Sequence, residues 1–137
     1  QNEFFRLPLG RTCLAMYSTP TGLAPEAVRF MMIEGSLVDI AHLRDQTAHM
    51  LRPETVETLY YLWVTTGEQE WADAAWRIFV AWETFCKVKD GYVGLESVYE
   101  NPPVHSGKLE TFFIAESLKY LYLIFTPAAS KQLPLQE

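Results

Sequence analysis

The chain has 137 residues, 49% apolar, 14% aromatic and 20% charged. That is enough for one modest domain with a real core, and too apolar for a disordered segment. The net charge of -6, with no basic block to neutralise phosphates, argues against a nucleic-acid partner and fits either a soluble protein or one that gathers cations or neutral sugars.

Gln1-Asn2-Glu3-Phe4-Phe5 is neither an initiator methionine nor a signal peptide, and Lys131 to Glu137 trails off in polar residues and a proline. The whole is expected to be a piece of a longer protein. Arg11 to Tyr17 reads as the end of a helix, with Leu14, Ala15 and Met16 as helix formers. Ser18-Thr19-Pro20-Thr21-Gly22 breaks it. Leu23-Ala24-Pro25-Glu26 continues as an apolar loop, of the kind that packs down or lines a site. Val28 to Ile33 is a short apolar run, a strand or a buried extended segment. Gly35 to Gln46 is ambiguous, and Leu37, Val38, Ile40, Ala41 and Leu43 would suit a helix.

From Pro53 the pattern is firmer. Proline is favoured in a first helical turn, where its missing N–H is not needed. Val56, Leu59, Tyr60, Leu62 and Trp63 form an apolar stripe, and Gly67 is a natural stop. Glu70 to Cys86 predicts a second helix, with Trp71, Ala74, Ala75, Ile78, Trp82 and Phe85 on one side. The pair makes an αα-hairpin. Gly91 to Val98 alternates and holds two glycines, so it reads as a short extended or hairpin segment. Asn101-Pro102-Pro103 is a loop, and Leu109 to Phe125 predicts a third helix closed by Thr126-Pro127. The class is all-α, helical hairpins with minor extended segments. The longest apolar run, Leu121 to Phe125, is too short to span a bilayer. The two cysteines, Cys13 and Cys86, exclude a disulfide framework and show no zinc spacing. A mutual disulfide, two thiols, or a bond to another segment all stay open.

Chemistry concentrates in two places. Glu54, Glu57 and Tyr61 share one helix face at i, i+3 and i+7. The two carboxylates lie in the positive end of the helix dipole, which favours negative charge. Such groups serve as general bases or hold the waters around a hard cation. Glutamate early in a helix is also common surface chemistry. Phe112 and Glu116 stack at i and i+4 on the third helix. A ring beside a carboxylate suits a sugar, the ring on the apolar face of a pyranose and the carboxylate on its hydroxyls. The plain alternative is a core aromatic beside a solvated acid. His42, His49 and His105 are scattered, with no ligand spacing, and read as ordinary.

Three segments, in order, resemble glycoside hydrolase family 47, the class I α-1,2-mannosidases: Thr21 to Glu26, Leu51 to Trp63 and Leu109 to Leu123. Thr12-Cys13 with Met16-Tyr17, and Gly91-Tyr92 with Gly94-Leu95, fall where that family has similar pieces. The resemblance implies part of an (αα)7 barrel, with residues 1–137 the C-terminal portion of a single catalytic domain. It also implies inverting hydrolysis of terminal α-1,2-linked mannose from N-glycans, with a Ca2+ ion at the barrel floor. Residue by residue, it implies that Glu54 is the general base for the attacking water. Arg52 and Pro53 shape the sugar pocket, Phe112 stacks on the terminal sugar, and Glu116 lies near sugar and calcium. Glu57 and Glu116 reach the metal through water. Cys13 matches the second cysteine of the family disulfide, its partner upstream, which leaves Cys86 a buried free thiol.

The family's general acid, a further catalytic carboxylate and the Thr-Glu motif whose threonine binds calcium have no counterpart in this sequence. Ser106-Gly107-Lys108-Leu109 replaces a more charged approach to the third helix. The expectation is half a site: inactive alone, completed by the rest of the barrel, acting on a high-mannose N-glycan in the secretory pathway (endoplasmic reticulum or Golgi) or after secretion. The alternatives are a lectin-like relative that binds high-mannose glycans in glycoprotein quality control, and an inactive truncated fragment or helical interaction module.

Overall fold

The computed structural model describes residues 3–34 and 36–126. Its helices are α1 (Glu3–Ala15), α2 (Glu54–Thr66), α3 (Gln69–Phe85) and α4 (Leu118–Phe125), the last entered through a π-helical turn, Phe113–Ser117. Its strands are β1 (Val28–Ile33), β2 (Ser36–His42), β3 (Lys87–Val88) and β4 (Gly91–Tyr92), paired as two antiparallel hairpins. The predicted Pro127 stop and the polar tail lie outside the described residues.

The α2–α3 hairpin is the frame. Gly67 ends α2 in the left-handed region at φ 71°, and its N–H closes on the Trp63 carbonyl at 2.9 Å. A side chain there would be strained, so glycine makes the turn short. Val56, Leu59, Tyr60 and Leu62 of α2 are buried, as are Trp71, Ala74, Ala75, Ile78, Ala81 and Trp82 of α3. The stripe predicted from Trp71 to Trp82 is therefore the core face, with Phe85 half-buried at its end. α4 packs against both helices, and Phe113 meets Trp82 edge-on at 5.3 Å. Fully burying each such side chain stabilises by about 1.5–3 kcal/mol.

A second layer of irregular backbone lies over this frame. His49 and Leu95 exchange both backbone hydrogen bonds at 2.9 Å, and Leu95 also bridges His105. Gly94 makes the approach possible, since a Cβ there would sit 2.5 Å from the His49 carbonyl oxygen.

Two open readings are resolved and two expectations change. Residues 36–42 form a strand, not a helix, because Ser36–His42 pairs in register with Val28–Ile33, Phe30 opposite Ile40. An ambiguous apolar pattern takes the state its neighbour can hydrogen-bond. Of the two readings of Val28–Ile33, the strand holds and the buried extended segment does not, since Phe30, Met31, Met32 and Ile33 are all exposed. The third helix is not one continuous α-helix from Leu109, since it begins near Thr111 and passes through the π turn before α4. The expected first helical residue of α2, Pro53, instead sits just outside it as the cap.

Candidate functional site

The site begins with a backbone turn. Leu51 is fully buried yet has φ 60°, a left-handed conformation that a branched side chain rarely adopts. Ser117 holds it there: its fully buried hydroxyl donates to the Leu51 carbonyl at 2.7 Å. The turn brings Arg52-Pro53-Glu54 to the start of α2. The π turn delivers Ser117, since the Leu118 N–H reaches back five residues to the Phe113 carbonyl, so that Phe113 and Ser117 both face inward. Turns of this kind are frequent at functional sites.

Arg52 is half exposed, and its Nε donates to the Glu26 carboxylate at 2.7 Å. That bond, with the charges of Glu26, Glu54 and Glu110, holds the guanidinium more firmly protonated than usual. Pro53 is buried, and Glu54 is exposed at the first position of α2. The Tyr17 phenol is pushed up to about 12, mainly by burial, with Thr55 lowering it and Glu54 adding to the rise. Glu110 pairs with Lys108 at 2.7 Å.

Glu57, one turn along α2, is half-buried and accepts a hydrogen bond from the Tyr120 hydroxyl of α4. Tyr120 is raised well above the usual phenol range, first by burial and then by that carboxylate. Tyr61 completes the group, its ring 6.3 Å from that of Tyr120. Phe112 is half-buried and Glu116 exposed, on either side of the start of the π turn.

The structure thus joins the second and third sequence segments through Ser117–Leu51 and Tyr120–Glu57, and the first to the second through Glu26–Arg52. Spacing alone missed Tyr17, Glu26, Ser117 and Tyr120 as participants. Their partners are far away in sequence, 63 residues for Tyr120 and Glu57, so no local period marks them.

His49 is not an ordinary surface histidine. It is 5% exposed, its Nδ1 is 2.8 Å from the Ala24 carbonyl, and its Nε2 is 2.8 Å from Trp82 Nε1. His42 and His105 are exposed, the latter on the Phe85 carbonyl at 2.8 Å. Cys13 and Cys86 are not joined to each other. Cys86 is buried, and burial pushes its thiol up to about 12. Cys13 opens on an apolar groove with Leu9, Tyr61 and Leu62.

Among the described residues, no three His, Cys, Asp or Glu side chains are grouped to hold a metal ion. Calcium takes six to eight oxygens. Glu57 and Glu116 do not make a calcium site on their own. Among the described residues no helix is long and apolar enough to cross a membrane.

What this arrangement can do is accept a proton at an exposed glutamate beside a fixed guanidinium, with an aromatic ring on the neighbouring helix. The sequence model described as "Glycosyl hydrolase family 47" matches residues 7–137. The chain is 41% identical over 132 residues to mannosyl-oligosaccharide 1,2-alpha-mannosidase MNS3 of Arabidopsis thaliana, covering 85% of this chain and 21% of that protein. It is 36% identical over 119 residues to mannosyl-oligosaccharide 1,2-alpha-mannosidase IB of Homo sapiens, covering 86% and 18%. In structure it is similar to alpha-1,2-mannosidase from Trichoderma reesei, with a TM-score of 0.75 and 30% identity over 85% of this chain and 27% of that one. The chain spans about a fifth of the length of the curated relatives it matches.

Proposed function

We propose a function from one premise: this chain belongs to glycosyl hydrolase family 47, and its helical hairpins are part of an α/α barrel. The protein that carries it hydrolyses terminal α-1,2-linked mannose from high-mannose N-glycans with inversion, residues 1–137 being the C-terminal portion of its single catalytic domain. The observation that carries this reading is the exposed Glu54 at the start of α2, beside Arg52, which Glu26 fixes at 2.7 Å.

In that reading Glu54 takes the proton of the attacking water. An inverting glycosidase needs a second carboxyl group far enough away to admit that water, and it comes from outside this chain. Arg52 donates to sugar hydroxyls, Pro53 shapes the pocket wall, Phe112 stacks on the terminal sugar, and Glu116 accepts from its hydroxyls. In the complete barrel, Glu57 and Glu116 would help hold the water shell of a calcium ion whose direct ligand lies elsewhere, and the ion would make the activity calcium-dependent. The names of the curated relatives support the substrate class. The isolated chain is inactive. Cys13 bonds a cysteine of another segment, and the protein works in the secretory pathway or after secretion.

The test is proton NMR of the full-length protein acting on a high-mannose glycan. Mannose should appear first as the β anomer. First appearance as the α anomer would reject inversion. Glycan binding with no release would instead assign a lectin-like role.

A further inference from the structure

We propose that His49 is a positioning residue for Arg52: its imidazole pins the Ala24–Glu26 loop, and that loop sets the guanidinium at the sugar-binding face. The inference rests on the reading of Arg52 as a substrate-binding group.

Trp82 Nε1–H can only donate. It lies 2.8 Å from His49 Nε2, so that nitrogen accepts. The proton is therefore on Nδ1, which donates to the Ala24 carbonyl at 2.8 Å. Both nitrogens are used, and the tautomer is set from two sides. Burial holds the ring's pKa down at about 4, so this neutral form persists at the pH of the secretory pathway.

The next link is backbone. The Glu26 N–H donates to the Ala48 carbonyl at 2.9 Å. Residues 48 and 49 thus hold the loop at two points, 24 and 26. Pro25, buried between them, restricts the backbone to one φ. The far side of His49 is fixed by its two backbone bonds to the fully buried Leu95. From this anchored loop the Glu26 carboxylate reaches out to Arg52 at 2.7 Å. Arg52 is half exposed, with many rotamers open to it, and Glu26 is the ion-pair partner that selects one. The path runs from the Nδ1 side of His49, through the Ala24–Glu26 loop, to Arg52 beside Glu54, and the Trp82 bond to Nε2 lies off it.

A purely structural His49 would affect folding alone, so the test needs a separate readout. In the full-length protein, H49F keeps a ring and removes both side-chain bonds, while H49Q keeps one donor and one acceptor. Affinity for a high-mannose glycan should fall about tenfold in H49F, within the coupling range of a shared network. KM should rise by more than kcat falls, and H49Q should recover part of the loss. On an R52K background the H49F effect should shrink to about threefold or less, since both act on one contact. W82F leaves the Ala24 bond in place, so it should lower the melting temperature with glycan affinity within about twofold of wild type. Should H49F fail to fold, H49Q and W82F carry the comparison. Wild-type affinity in H49F, an undiminished effect on R52K, or W82F weakening binding as much as H49F would overturn the proposal. If the unsubstituted protein neither binds nor cleaves the glycan, the function falls, and hydrogen exchange at the Glu26 amide still decides the positioning. Exchange should quicken about tenfold or more in H49F, and unchanged exchange overturns the claim.

Discussion

Leu51 offers a prediction in which two effects compete at one residue. It is fully buried, so Leu51→Ala should destabilise by about 2–5 kcal/mol through lost burial and the cavity left behind. Alanine keeps a Cβ at φ 60° and so keeps the left-handed strain of about 1–2 kcal/mol. Leu51→Gly removes that strain. It also deletes one more buried carbon, about 0.8 kcal/mol, and adds backbone entropy to the unfolded chain, about 0.5–1 kcal/mol. These terms nearly cancel, so the glycine and alanine variants should agree to within about 1 kcal/mol. Leu59 is the control, 1% exposed in the interior of α2, where φ is helical and there is no strain to relieve. There glycine should be about 2 kcal/mol worse than alanine. The assay is guanidinium unfolding of the protein with all four variants, compared at equal slope. A glycine–alanine gap at Leu51 as large as that at Leu59 refutes the claim that the approach to Arg52 is strained.

Ser117→Ala leaves the buried Leu51 carbonyl without its partner and should destabilise by about 1–3 kcal/mol in the same unfolding assay, whereas a loss below about 0.5 kcal/mol would mean that Ser117 does not hold the turn. His49 ties stability to pH: its folded value near 4 lies below the unfolded 6.5, so its contribution is full above pH 6.5 and is lost as pH falls toward 4. Each pH unit inside that window removes about 1.4 kcal/mol, so H49F should flatten the stability curve between pH 6.5 and 5 relative to the unsubstituted protein. Cys86, buried with its thiol pushed up to about 12, should resist alkylation at pH 8 until the protein is unfolded, and quick native labelling would contradict its burial.

Much of the frame was legible in the sequence because it depends on local signals. Pro53 and Gly67 bracket α2, and the stripe from Trp71 to Trp82 is the buried face of α3. β2 was not legible, because the apolar residues at 37, 38, 40, 41 and 43 suit a helix and only pairing with β1 makes the segment a strand. The π turn was not legible either, since Phe113–Ser117 looks like any apolar helix until its hydrogen bonds are seen. The place of Glu54 and Glu57 in the first turn of α2 was legible. Their surroundings were not: Glu26 meets Arg52 across 26 residues and Tyr120 meets Glu57 across 63. Such pairs are made by packing. His49 shows the same limit, since a histidine with no ligand spacing reads as ordinary until Trp82 and Ala24 close on its ring.

The central claim is that Glu54 is the base of a mannosidase site. Its most direct test is Glu54→Gln in the full-length protein, assayed for glycan binding and for mannose release. The substitution keeps the shape and removes the proton acceptor. Binding should stay near wild type while turnover falls by about 10²–10⁴-fold, the usual contribution of a general base. Turnover close to that of the unsubstituted protein, with binding intact, would contradict the assignment of Glu54.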